Sequence, residues 1–165
     1  MLSIIIPVKN QLFYTKNILE EIKQKVKSDH EIIIINDNST DWTDEYLSSL
    51  EWITYIKSET DIGVNKAWNI WVEKAQWDYI WIINNDLTLT DWIDLKLINW
   101  FDDETDIVCP VSTTWPNKFE LPIIVNDNNI AWRCFMLKDK SLFPIDERLD
   151  IWYGDDWLYM KSKKE

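Results

Sequence analysis

Apolar residues along the chain fall into runs of two kinds, short continuous ones and longer ones with helical spacing. Leu2–Val8 is a nearly continuous apolar run closing on Pro7-Val8, which predicts a strand buried on both faces. Leu12, Ile18, Leu19, Ile22 and Val26 then fall at helical spacing and predict a helix over 12–26. Residues 31–36, glutamate then isoleucines then asparagine, form a second buried strand. The polar run Asp37-Asn38-Ser39-Thr40-Asp41 reads as a turn and helix cap. A short helix over 42–50 and a strand over 52–57 follow. Val64, Ala67, Trp68, Trp71, Val72 and Ala75 repeat at i, i+3, i+4 and mark an amphipathic helix, with Trp68 and Trp71 on its core face. Residues 78–83 are a fourth strand, ended by Asn84-Asn85-Asp86. Thr90-Asp91 predicts the cap of a helix reaching Phe101, and 107–111 a further strand. Beyond that the pattern loosens: 123–125 and 131–137 are strand candidates and 155–161 a helix.

Strands alternating with helices over the first 110 residues predict an α/β fold with a mostly parallel sheet and right-handed crossovers. No internal repeat or linker interrupts the pattern, so a single domain is expected.

Composition narrows the chemistry. Seventeen basic residues against 29 acidic ones give a formal net charge of -12 over 165 residues. A chain so acidic repels polyphosphate, and no basic stretch precedes the short tail of Lys161, Lys163 and Lys164, so nucleic acid is not an expected partner. Cys109 and Cys134 are isolated in apolar stretches and make neither a disulfide framework nor a zinc site; buried thiols are expected. No run approaches the roughly 18 apolar residues of a membrane span. The start lacks a basic n-region and a cleavage site, so no signal peptide is expected and the expected location is the cytoplasm.

In open parallel sheets, ligands sit beyond the carboxyl ends of the strands. The polar residues at those ends are Lys9-Asn10, Asn36-Asp37-Asn38-Ser39, Glu59-Thr60-Asp61 and Asn84-Asn85-Asp86. Only two glycines exist, Gly63 at the opening of a helix and Gly154 before Asp155-Asp156. Either marks a close approach to a ligand or an ordinary turn. No glycine-rich phosphate loop is present, so a nucleoside diphosphate would need a divalent cation. Asp86 is an oxygen ligand suited to Mg2+ or Mn2+, although such a turn is by itself more often only a turn. The single histidine, His30, is expected in a loop. With no serine elbow, acid–base work falls to carboxylates. Asp155-Asp156 is the best pair: a neighbouring like charge and partial burial raise a carboxylate pKa toward the working range. The alternative for the pair is a helix cap.

Together these blocks resemble family 2 glycosyltransferases of the GT-A fold. The resemblance rests on Ser3-Ile4-Ile5-Ile6-Pro7-Val8-Lys9-Asn10, on residues 31–41, and on Asp61-Ile62-Gly63-Val64-Asn65-Lys66. It extends to Ile83-Asn84-Asn85-Asp86, similar to the family's DxD motif, with Asp91-Trp92 after it, and to Phe143-Pro144-Ile145-Asp146-Glu147 followed by Gly154-Asp155-Asp156. It implies a GT-A-type, Rossmann-like three-layer sandwich over 1–165, with a nucleotide-binding part over about 1–87 and an acceptor and catalytic part over about 88–165.

The activity implied is inverting, metal-dependent transfer of a sugar from a nucleotide-diphosphate sugar to an acceptor hydroxyl. Pro7, Val8, Asn10 and Asp37 would line the nucleotide pocket, with Asp61, Gly63, Lys66 and Asn85 near the nucleotide and diphosphate. Asp86 would hold Mn2+ or Mg2+, Asp156 would be the general base and Asp155 would orient it. UDP is the family's commonest nucleotide, and GDP and dTDP use the same scaffold; the acceptor is a glycan, a lipid-linked sugar or a protein. Trp92, Trp115 and Trp152 are acceptor candidates because aromatic faces stack on sugars, and Trp115 and Trp152 serve packing equally well. The chain departs from the family pattern in three places. The family's usual arginine near Trp68 is absent, so that cation comes from Lys66 or is missing; Asn84 stands at the first Asp of the metal motif, and no histidine follows Asp156. The alternative is a relative that binds nucleotide or sugar without turnover.

Overall fold

Isoleucine-rich strands set the architecture, because side chains alternate across a sheet and each face must be covered. In the computed structural model, which describes residues 1–60, 64–114, 118–122, 134–146, 158 and 161, β1 (Leu2–Val8), β2 (His30–Asp37), β3 (Thr54–Ser58) and β4 (Tyr79–Ile83) are all parallel. Between them run α1 (Leu12–Lys25), α2 (Thr43–Ser48) and α3 (Val64–Lys74). Then come α4 (Ile93–Ile98), β5 (Ile107–Val108), the paired strands β6 (Pro110–Thr114) and β7 (Lys118–Pro122), and β8 (Cys134–Leu137). The main sheet has the order β3-β2-β1-β4-β8-β5, with β8 antiparallel to both neighbours. The 107–111 strand of the sequence pattern divides: β5 joins the main sheet, and β6 leaves it to pair with β7.

Register sorts the side chains. Ile4, Ile6, Ile32, Ile34, Trp81 and Ile83 face one core with Ile18, Leu19 and Ile22 of α1, Leu47 of α2, and Ile93 and Leu97 of α4. Ile5, Ile33, Ile35, Ile80 and Ile82 face the other with Trp68, Trp71 and Val72 of α3. The result is the expected three-layer sandwich, and both expected core tryptophans of α3 are buried. Each fully buried isoleucine contributes about 2 kcal/mol by the area rule, so the continuous apolar runs are what hold the strands at the centre.

Two details differ from the sequence pattern. His30 opens β2, paired with Leu2, rather than lying in a loop. The fourth helix begins later than the Thr90-Asp91 signal: Trp92 is its cap residue, with φ 65° and no side-chain cap bond. The long-range bond of Trp92 N–H to the Lys25 carbonyl (3.1 Å) fixes the entry of that helix instead.

The order of the sheet matters for function. After β1 the chain winds to one side through β2 and β3, then α3 carries it back so that β4 pairs with the free edge of β1. The winding reverses between β1 and β4, where the carboxyl ends of the strands leave a crevice.

Candidate functional site at the switch point

Residues that follow the parallel strands gather on one rim of the sheet. The turn after β1 carries Asn10 and Gln11 at φ 58° and 62°, and the turn after β2 carries Asn38 at φ 53°. Left-handed backbone suits asparagine and is costly for glutamine, so neighbouring groups must hold it. Asn10 N–H donates to Ser39 Oγ (2.6 Å) and Asn10 Oδ1 accepts from Thr40 N–H (2.7 Å). Leu12 N–H, first in α1, donates to Asp41 Oδ2 (3.4 Å), while Asp41 Oδ1 accepts from Thr43 N–H (3.0 Å). Helix α1 has no acidic residue in its first turn and no cap bond of its own. Asp41 therefore serves two helix starts at once. Its slight burial works upward on its pKa, but hydrogen bonds from Thr43, Leu12 and Gln11 outweigh that and hold it below the ordinary value.

Beneath the turns lies a polar chain. Asn36, fully buried at the end of β2, accepts Ser39 N–H on Oδ1 (3.0 Å) and donates from Nδ2 to the Tyr55 hydroxyl (2.9 Å). Tyr55 donates to Asp44 Oδ1 (2.5 Å), and Lys57 holds Asp44 Oδ2 at 2.7 Å. The bonds from Lys57 and Tyr55 depress the Asp44 pKa. Burial, then the bond to Asp44, pushes the Tyr55 phenol up to about 12. Across the turn, Lys9 Nζ lies 4.0 Å from Asp37 Oδ2.

On the other side of the switch point, the loop after β4 is tied to α1. Asn85 Nδ2 donates to the Thr15 hydroxyl (3.0 Å), and Asp86 next to it is exposed. Among the described residues no three carboxylate, histidine or cysteine side chains cluster as a metal site. Asp86 is thus one hard oxygen donor facing solvent. That suits Mg2+ or Mn2+, which are commonly held by one or two carboxylates with the remaining positions filled by water and substrate phosphate. Lys66, in the first turn of α3, is exposed.

The structure brings Pro7, Asn10, Asp37, Lys66, Asn85 and Asp86 to this rim, as the strand ends predict. Val8 closes β1 at the same end, but its side chain is 1% exposed and belongs to the core. Trp92 is not there. From Asn85 the chain descends alongside α1: Leu89 N–H meets Glu21, Leu89 O accepts from Lys25 Nζ (2.6 Å), and Asp94 takes the Lys27 and Ser28 amides at 3.0 and 2.7 Å. Trp92 therefore sits at the opposite end of the sheet, under the Lys27 ammonium, apart from the other candidates at the rim. Asp61, Gly63, Trp115, Trp152, Asp155 and Asp156 lie outside the described residues.

Thr15, Tyr55 and Asp44 escaped the sequence pattern because each reads as an ordinary helix or strand residue. Asn36, a polar residue closing an isoleucine run, is the one supporting group whose position already signals a buried hydrogen-bonding role.

A six-stranded sheet with one antiparallel strand and a winding reversal between β1 and β4 is a mixed α/β architecture of GT-A type. The glycosyl transferase family 2 model matches residues 3–141, and the chain belongs to that family. No curated protein matches the sequence. Among solved structures, the mannosyltransferase PcManGT from Pyrobaculum calidifontis, in complex with GDP-Man and Mn2+, is 16% identical with a TM-score of 0.73 over 98% of this chain and 51% of its own. TarS 1-349 from S. aureus in complex with UDP is 15% identical, with a TM-score of 0.77 over 98% of this chain and 54% of its own. GalNAc-T7 with UDP, GalNAc and Mn2+ is 13% identical, with a TM-score of 0.71 over 95% of this chain and 39% of its own. The chain spans about half of the first two proteins and less of the third. Among the described residues no helix is long and apolar enough to cross a membrane.

Proposed function

We propose that this chain moves a sugar from a nucleotide-diphosphate sugar to an acceptor hydroxyl, with inversion at the anomeric carbon and with help from a divalent cation. The observation that carries the reading is the placement of Asn10 and Asp37 on one side of the β1–β4 reversal and Asn85-Asp86 on the other. The turns of β1 and β2 would take the nucleoside, with Asp37 accepting from base or ribose. Asn85 and Lys66 would flank the diphosphate. Asp86 would hold Mn2+ or Mg2+, which supplies positive charge to the departing diphosphate. The need for it follows from the net charge of -12, which otherwise opposes an anionic donor. The GDP-Man, UDP and Mn2+ of the solved relatives support a donor and cation of this kind.

For the transfer itself, Asp156 would take the acceptor proton, with Asp155 orienting it. The acceptor oxygen then forms its bond to the anomeric carbon from the face opposite the phosphate, the carbon–phosphate oxygen bond breaks, and the electron pair leaves on the diphosphate. One displacement inverts the centre, and no covalent nucleophile takes part. We further propose that 1–165 acts as one domain, with the nucleotide part over about 1–87 and the acceptor part over about 88–165.

Thermal unfolding against UDP, GDP, dTDP and CDP, each with and without Mn2+, tests the reading. Ligand at about 100 times Kd stabilises by roughly 2.7 kcal/mol, a rise of about 5–10 °C at this size. A shift with one nucleotide that grows with Mn2+ supports the proposal and names the donor class. No shift with any nucleotide overturns it.

A further inference from the structure

The polar chain under the β1 and β2 turns has a direction that chemistry imposes. Asp44, paired with Lys57 at 2.7 Å, is a carboxylate and can only accept, so the Tyr55 hydroxyl must donate to it. Tyr55 is then left with lone pairs alone and must accept from Asn36 Nδ2. That choice turns Asn36 Oδ1 toward Ser39 N–H (3.0 Å), and Ser39 Oγ in turn receives Asn10 N–H at 2.6 Å. Asn36 is fully buried, so a reversed amide would set its donors against the Ser39 N–H with no water to relieve it. Asn10 and its neighbour Gln11 hold left-handed backbone that this chain of bonds helps to maintain.

We propose that Tyr55 is a positioning residue of the donor site: its hydroxyl sets the orientation of the Asn36 amide and, through Ser39, the conformation of the turn that carries Asn10. The inference rests on the donor-site reading above. Tyr55 lies on β3, two strands from Asn10, and touches no ligand itself. Its effect is on the fit of the turn, so it acts on donor binding and leaves the bond-making step alone.

The test compares Tyr55→Phe with Ser3→Ala. Ser3 is fully buried, Tyr55 partly so, and Ser3 lies at the other end of β1, where its hydroxyl donates to Glu31 (2.6 Å) and accepts from Trp77 N–H (3.3 Å). Each variant loses a hydroxyl that makes two side-chain hydrogen bonds inside the fold, and some thermal stability with it. For Tyr55→Phe, the Kd for UDP or GDP with Mn2+ and the donor KM rise about tenfold, while kcat at saturating donor stays within about twofold. Amide exchange quickens at Ser39 and Thr40. Ser3→Ala leaves the Kd and those two amides unchanged. The proposal is overturned if Tyr55→Phe binds nucleotide as the wild type does, or if both variants weaken binding in proportion to their loss of stability. A wild-type chain that binds no nucleoside diphosphate overturns the donor-site reading, and this inference with it.

Discussion

Asn85 and Thr15 are joined by a hydrogen bond of 3.0 Å, the asparagine amide donating to the threonine hydroxyl, and this bond pins the loop after β4 to the first turn of α1. Thr15 is fully buried and its hydroxyl also reaches the Gln11 carbonyl at 3.4 Å. The loop after β4 and the turn after β1 therefore share one anchor. Thr15→Val keeps the shape and removes the acceptor. It should cost about 0.5–1.5 kcal/mol of stability, read by urea unfolding, and weaken Mn2+-dependent nucleotide binding. Unchanged binding would detach the two loops from one another.

Asp86→Ala separates metal use from folding. Asp86 is exposed, so the variant should unfold within about 0.5 kcal/mol of the wild type. Nucleotide affinity measured by calorimetry should become the same with and without Mn2+. A variant that keeps the full Mn2+ effect moves the cation elsewhere.

Asp156→Asn addresses the base. Sugar transfer should fall by about two to four orders of magnitude, with the Kd for the nucleoside diphosphate close to that of the wild type. Full activity in this variant would remove Asp156 from the chemistry.

Acid stability has a defined sign at Asp44. Lys57 and Tyr55 hold its folded pKa below the ordinary 3.8, so the unfolded chain takes up the proton first as pH falls. The contribution is complete above that ordinary value and is lost as pH drops through the lower, folded one. Urea midpoints of wild type and Asp44→Asn should differ at pH 6 and converge toward pH 2. A constant gap across that range would contradict the assignment.

The tryptophans separate by position. Trp71 is 1% exposed in the α3 core and Trp42 is 73% exposed at the start of α2. Trp71→Ala should cost about 3–5 kcal/mol and Trp42→Ala under about 0.5, both by chemical denaturation. Equal costs would contradict the packing described.

The sequence by itself determined the order of strands and helices through α3 and β4, because apolar period and isoleucine runs are local properties that burial then enforces. It also determined the rim, since Asn10, Asp37 and Asn85-Asp86 all follow strands of one parallel sheet. Trp92 shows the limit. It is an acceptor candidate by resemblance and follows Asp86 closely in sequence, yet bonds to Lys25 and from Ser28 to Asp94 draw that segment down α1 to the far end. Only tertiary pairing decided this, as it decided that β8 enters between β4 and β5 and that Tyr55 stands under a turn from another strand. Those contacts join residues distant in sequence, and their partners are chosen by register and by the need of buried polar atoms for one another, which no local pattern encodes.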